Sequence, residues 1–317
     1  MKLRGIDFGN VLGASGVQGF FGEGYWPHKI LKHVGLNFKG MTFVSKTSTL
    51  YGRPGNMPLT DDYRPREWFP PCLKIRFARG LVVNSVGLAG PSINALLATG
   101  KWQARKEPFF ISVMSVAPTK QERFDEFWQM VEIFQWAKRD FSAPFGLQVN
   151  LSCPNIGHNP GELIRESSEV LSILGTLNIP LMPKYSIATA PIEAVMELDK
   201  NPHCDAICVS NTLPFGWKEI DWKKVWGSDV SPLTHLGGGG LSGAFLCPLV
   251  CYWIARLRAL GFSKSINGGG GILCKTDMDS YYQAYASSVF LGSVAILRPW
   301  RVAGIIRHAN TLDWRKS

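Results

Sequence analysis

Eight short apolar runs recur along the chain, each followed by helical or loop material. They are "NVLGAS" (10–15), "MTFVSK" (41–46), "FFISVM" (109–114), "FGLQVNLS" (145–152), "PLMPKYS" (180–186), "DAICVSN" (205–211), "SINGGGG" (265–271) and "SSVFLG" (287–292). Several are continuously apolar rather than alternating, the pattern of parallel strands buried on both faces. Helical periodicity lies between them. "KQERFDEFWQMVEIFQWAKR" (120–139) sets Phe124, Phe127, Trp128, Val131 and Phe134 at three- and four-residue spacing. "LCPLVCYWIARLRALG" ends in Gly261, a helix C-cap signal. Eight β/α alternations in 317 residues predict an α/β fold. The architecture expected is a (β/α)8 TIM barrel with long loops over its C-terminal face, one domain over residues 1–317. A doubly wound open sheet is the main rival; the count of eight favours the barrel.

Two connections are too long to be simple. Residues 46–105 and 211–240 both leave the C-terminal ends of strands, the face where barrels of this kind place their active sites. Long connections in compact domains are functional or disordered. These are rich in aromatic and apolar residues, so they are expected to be ordered and to roof the barrel mouth.

Composition narrows the function. No apolar run approaches ~18 residues, and the opening "MKLRGIDFGNVLGAS" has no apolar h-region. Neither a membrane span nor a signal peptide is expected. Seven cysteines, an odd number, show no C-x-x-C, which argues against an iron–sulfur cluster or structural zinc. The pairs Cys204/Cys208 and Cys247/Cys251 read as buried free thiols in a reduced, cytosolic setting. The net charge of +10 would suit acidic small molecules, phosphate or RNA, but the basic residues are scattered. Nucleic acid is therefore the minority reading.

Glycines crowd the last third: "GGGGLSG" (237–243), "NGGGGI" (267–272) and "LGS" (291–293). The last two close strands 7 and 8, where barrels bind phosphate through backbone N–H groups that glycine lets come close. Strand ends supply the other candidates: Lys46, Asn150 with Cys153, Lys184 and Asn211. Any one of these lysines alone would be an ordinary solvated residue. Together they suggest a mouth. An asparagine side chain donates and accepts, matching the amide edge of a pyrimidine dione or of a flavin. A lysine can stabilise an anionic reduced flavin, and a cysteine can exchange a proton with carbon.

These residues resemble the dihydroorotate dehydrogenase family, most closely its soluble class 1 members. The likeness covers nearly the whole chain. It rests on "ASGV" (14–17), "VSKTSTLYGRPGN" (44–56), "VNSVGL" (83–88), "VNLSCPN" (149–155), Lys184 of "PKYS", "SNT" (210–212), "GGLSG" (239–243), "GGGI" (269–272) and "LGSVAILRPW" (291–300). The resemblance implies an FMN-containing barrel that oxidises dihydroorotate to orotate in pyrimidine synthesis. It implies Cys153 as the base at C5 while hydride leaves C6 for flavin N5. Class 2 members, which are membrane-associated, carry serine there. Lys46, Asn84, Ser85, Val86, Gly87, Leu88, Asn150, Asn155, Asn211 and Thr212 match substrate-contacting positions. Ser15, Lys46, Thr47, Asn150, Lys184 and Ser210 match the surroundings of the flavin ring and ribityl chain. Gly243, Gly270, Gly271, Gly292 and Ser293 match the phosphate cradle. A cytoplasmic homodimer is expected, with no membrane and no nucleic-acid partner.

Three departures stand out. Ala89 and Gly90 occupy the place where Pro-Asn is frequent, "MPKY" leads into Lys184, and "IGHNPGE" follows Asn155. None removes a motif residue. Three rivals remain. A dihydropyrimidine dehydrogenase-like barrel shares the cysteine, but histidine usually stands where this chain has Asn155. A tRNA-dihydrouridine synthase-like enzyme carries a helical RNA-binding domain for which the roughly 25 residues after "FLGS" leave no room. A flavin barrel without turnover would not need the Cys153, Lys46 and asparagine set. The electron acceptor is either fumarate, toward which the motif wording leans, or NAD through a separate subunit.

Overall fold

The apolar runs form strands whose every residue is buried, as two covered faces require. The computed structural model describes residues 1–151 and 165–314. In chain order its strands are β1 (Lys2–Leu3), β2 (Ile6–Asp7), β3 (Val11–Gly13), β4 (Leu73–Arg76), β5 (Leu81–Asn84), β6 (Phe109–Val113) and β7 (Phe145–Asn150). There follow β8 (Leu181–Tyr185), β9 (Ala206–Val209), β10 (Leu213–Pro214), β11 (Gly240–Gly243), β12 (Ser265–Gly269) and β13 (Ser288–Leu291). Seven make one parallel sheet in the order β3-β13-β12-β9-β8-β7-β6.

Residues 42–48 close the circle. Thr42 bridges Leu12 of β3, while Val44 and Ser48 bridge Phe110 and Val113 of β6, all in parallel. Backbone bonds of 2.8 Å (Thr42 N–H to Val11 O) and 3.0 Å (Phe110 N–H to Phe43 O) seal both seams. This eighth stave is irregular because side chains intrude on its ladder. The Ser112 N–H donates to the Ser45 hydroxyl at 3.0 Å rather than to a carbonyl. The eight runs read from the sequence are thus the eight staves.

Two apolar clusters follow from the strand period of two. Leu12, Val44, Phe110, Met182 and Phe290 fill the barrel interior, where Phe8 meets Phe110 at 4.3 Å. Alternate residues such as Val11, Ile111 and Val289 face the surrounding helices. The helix Lys120–Ala137 begins at a Thr119–Glu122 capping box and buries Phe127, Met130, Val131 and Phe134. Trp128 departs from the periodic reading: it lies one residue, about 100°, around from Phe127 and is 47% exposed. The helix Leu246–Ala259 stops where expected, with Gly261 at φ +95°. No helix among the described residues is long and apolar enough to cross a membrane.

Both long connections join in one antiparallel sheet, ordered β10-β11-β5-β4, over the mouth. "LKIRFARGLVVN" explains its hairpin. Leu73, Ile75 and Phe77 alternate with Lys74 and Arg76, and Gly80 at φ +65° serves the turn. Gly240–Gly243 then pairs with Asn84–Leu81, which locks the second connection onto the first.

Candidate active site

Six of the seven parallel strands end at one cavity of about 740 Å³. Ser15 follows β3, Lys46 and Thr47 come from the irregular stave, and Asn150 ends β7. Lys184 lies in β8, Ser210 and Asn211 follow β9, Gly270 and Gly271 follow β12, and Gly292 and Ser293 follow β13. All of these line the cavity. Strand ends point their side chains into the mouth because every stave runs the same way.

The floor is polar and tightly held. The Asn211 side-chain N–H donates to Asn150 Oδ1 at 3.0 Å, and the Thr212 N–H donates to Asn211 Oδ1 at 3.1 Å. These two bonds fix which way each amide faces. Ser15 Oγ bonds Ser45 O at 3.0 Å and Thr47 Oγ1 at 2.8 Å, and Thr47 passes on to Ser112 at 2.9 Å. Ser210 Oγ donates to Asn211 O at 2.6 Å and accepts from the Ile187 N–H at 3.1 Å. Lys46 and Lys184 are each only 8% exposed. The Lys46 ammonium donates to the Ala89 carbonyl and lies 4.9 Å above the centre of the Phe20 ring. Burying two ammonium groups is costly, and both of them line the cavity.

One wall is a glycine cradle. Gly270 and Gly271 have φ of +125° and +76°. A Cβ on Gly271 would sit 2.5 Å from the Gly243 carbonyl and 2.9 Å from the Cys247 nitrogen. With no side chain in the way, backbone can approach a phosphate-bearing group. Gly243 itself is absent from the lining. A Cβ there would sit 2.1 Å from the Gly80 carbonyl, so Gly243 lets the roof pack against the cradle.

The loop after β5 forms the facing side. Asn84, Val86, Gly87 and Leu88 line the cavity, and Gly87 and Leu88 are both left-handed, at φ +67° and +58°. Ser85 is absent from the lining: it is wholly buried, and its hydroxyl donates to Leu236 O at 2.6 Å, tying the two long connections together. A tight turn at residues 53–56 braces this loop. The Asn56 and Arg53 N–H groups donate to Val86 O and Gly90 O at 2.9 and 2.8 Å. The motif "GRPGN" holds the signal for this brace, since a Cβ on Gly55 would meet Ala89 N at 2.6 Å. Cys153 and Asn155 lie outside the described residues. The last described residue before them, Leu151, donates its N–H to Lys184 O at 3.1 Å.

Sequence reasoning missed an apolar arm of the cavity. It runs between the helix Trp26–Leu31, the roof hairpin and residues 295–300, and is lined by Trp26, Trp68, Phe69, Ile75, Phe77 and Trp300. Trp26 and Trp68 stack at 5.6 Å with planes 11° apart. His28 lies among these groups, and burial pushes its imidazole down to about 4. The alternation in "LKIRF" was the available signal for one wall. The aromatic groups opposite, Trp26 and Trp300, come from segments distant in sequence.

Of the other thiols, Cys72, Cys204, Cys208 and Cys247 are buried. Burial pushes Cys72 up to about 11 and both Cys204 and Cys208 up to about 12. The Cys247 thiol lies against that of the half-buried Cys251; both are free thiols. No metal-holding cluster occurs among the described residues.

A family described as dihydroorotate dehydrogenase matches residues 1–310. The catalytic subunit of dihydroorotate dehydrogenase B (NAD(+)) from Anoxybacillus flavithermus is 27% identical, over 98% of this chain and 90% of its own length. Its counterpart from Petrotoga mobilis is 26% identical, over 96% and 91%. Dihydroorotate dehydrogenase A (fumarate) of Lactiplantibacillus plantarum is 24% identical, over 96% and 90%. Among solved structures, an Eimeria tenella DHODH in complex with ferulenol superposes with a TM-score of 0.68 at 18% identity, covering 97% of this chain and 82% of that one. That likeness concerns the fold alone.

Proposed function

Because this chain belongs to the dihydroorotate dehydrogenase family, we propose that it oxidises dihydroorotate to orotate in pyrimidine synthesis as a single FMN-binding unit. The observation that carries this reading is the convergence of Lys46, Asn150, Lys184, Ser210, Asn211 and the Gly270–Gly271 turn on one cavity. Flavin, when bound, supplies the acceptor for the hydride that leaves C6. Ser15, Lys46, Thr47, Asn150, Lys184 and Ser210 hold its ring and ribityl chain. Gly270, Gly271, Gly292 and Ser293 hold its phosphate, with Gly243 keeping the cradle in place. The donor set fits such a group: buried ammonium groups and amides face one side, and a wall without side chains faces the other.

Asn84, Asn150, Asn155, Asn211 and Thr212 orient the substrate ring, because amides match the donor and acceptor edges of a pyrimidine dione. The 86–88 backbone and Lys46 receive its carboxylate, and Ser85 supports that loop from behind. Cys153, as thiolate, removes the C5 proton. Loss of that proton and of the C6 hydride leaves the C5–C6 double bond of orotate.

Purified protein is expected to be yellow and to release FMN on denaturation. Dihydroorotate is expected to bleach it anaerobically, while uracil and tRNA leave it unchanged. Colourless protein that cannot be reconstituted with FMN would overturn the reading. For the acceptor we propose fumarate, used by a cytoplasmic homodimer that needs neither membrane nor nucleic acid. The related proteins divide between NAD(+) and fumarate types by name, so steady-state turnover with each acceptor decides. NAD turnover without fumarate turnover would reject the proposal.

A further inference from the structure

We propose that Phe20 is a positioning residue for Lys46 and that Gly90 is glycine to make room for it. The inference rests on the functional reading above, in which Lys46 meets the substrate. It accounts for the departure at Ala89-Gly90.

Gly90 is not among the positive-φ glycines, so backbone freedom does not explain it. Space does. A Cβ at position 90 would lie 2.7 Å from Phe20 Cζ and 3.2 Å from Cε1. The Phe20 ring is wholly buried. It presents its face to the Lys46 ammonium at 4.9 Å, while that ammonium donates to the carbonyl of Ala89, the residue beside Gly90. Ring, ammonium and loop therefore form one stack. A desolvated ring face attracts a cation through its quadrupole.

The backbone around Phe20 is tied to the same lysine. The Lys46 N–H donates to Gly19 O at 2.9 Å, and a Cβ on Gly16 would sit 3.3 Å from Lys46 Cγ. The Phe20 N–H donates to Glu23 Oε1 at 3.1 Å, and Phe20 O accepts from the Trp102 indole at 2.7 Å. The turn thus holds the ring at a fixed height under the ammonium.

The test compares Phe20→Leu, Gly90→Ala, their double variant, and protein carrying 3,5-difluorophenylalanine at position 20. Orotate affinity is read by calorimetry, KM and kcat for dihydroorotate by turnover, and folding by FMN content and thermal melting. Phe20→Leu is expected to weaken orotate about ten-fold and to raise KM far more than it lowers kcat. The difluoro ring keeps nearly the same shape but has a weaker negative face. It is expected to weaken orotate about three-fold at an unchanged melting temperature. Gly90→Ala is expected to weaken orotate in the native chain and to add little in the Phe20→Leu background. Native affinity with the difluoro ring, or fully additive losses in the double variant, would overturn the proposal even if Phe20→Leu failed to fold. If the unaltered protein holds FMN but neither binds orotate nor oxidises dihydroorotate, the functional reading falls and takes this one with it.

Discussion

The strand-end floor of the cavity and the arm leading out of it differ in how their side chains are held. On the floor, Asn150, Asn211, Thr47 and Ser210 each have a hydrogen-bond partner within about 3 Å, and the parallel ladder places their backbones. In the arm, Trp26 and Trp68 stack face to face, Phe69 and Trp300 line the same space, and Phe69 remains 79% exposed. Polar floors lose chemistry when one group moves, because a buried donor or acceptor left without its partner is expensive. Apolar arms tolerate repacking better, because the hydrophobic effect is non-directional. Precision is thus concentrated where bonds must break, and tolerance where molecules pass.

Four measurements can break or sharpen that contrast. The largest effect is expected for Cys153→Ala, which removes the proposed base. Flavin reduction by dihydroorotate should slow by about 10²–10⁴-fold with FMN and orotate still bound, read by anaerobic stopped flow. Normal reduction would remove Cys153 from the mechanism.

Next comes His28 in the arm. Its folded value, about 4, lies below the ordinary 6.5 because burial disfavours the charged ring. The unfolded chain therefore binds the extra proton first. Stability is fully present above about pH 6.5 and is lost as pH falls toward 4, by on the order of 3 kcal/mol. Melting temperatures across that window should flatten in His28→Leu; an unchanged slope would show that other groups carry the acid sensitivity.

Gly271→Ala should cost about 1–3 kcal/mol, because its Cβ would press on Gly243 O from a left-handed backbone. Thermal melts and FMN content should fall together. Loss of melting temperature with full FMN content would separate the cradle from cofactor binding. The smallest effect is expected for Phe69→Ser and Trp300→Ser, each within about 0.5 kcal/mol in stability and about two-fold in KM for dihydroorotate. A large rise in KM would show that the arm belongs to the substrate site and would erase the contrast.

The same contrast explains what the sequence disclosed. All eight staves were legible because burial on both faces demands unbroken apolar runs. Lys46, Asn150, Lys184 and Asn211 were legible because they end those runs. Ser85 and Gly243 sit inside recognisable motifs yet lie off the cavity lining, since one ties two connections together and the other packs roof to cradle. A motif marks a place in the fold and does not say which side of the backbone faces the ligand. Trp128 shared the helical spacing but lies around the helix from the buried face. The arm was illegible: Trp26, Trp68 and Trp300 are far apart in sequence, and no local pattern records that they line one space.

The pairing of β3 with β13 has a consequence for how the molecule comes into being. These neighbours lie near opposite ends of the chain, joined by Ala14 N–H to Leu291 O at 2.8 Å and Val289 N–H to Asn10 O at 3.0 Å. Ribosomes add about 5–20 residues per second, so the first stave waits on the order of tens of seconds for its partner. Until then it has an open edge, and contacts so distant in sequence form slowly. Ser15 and Ser293 share one cavity wall only after that last seam closes. A ligand that touches both therefore binds only after that seam closes, and its capture during synthesis would time barrel closure.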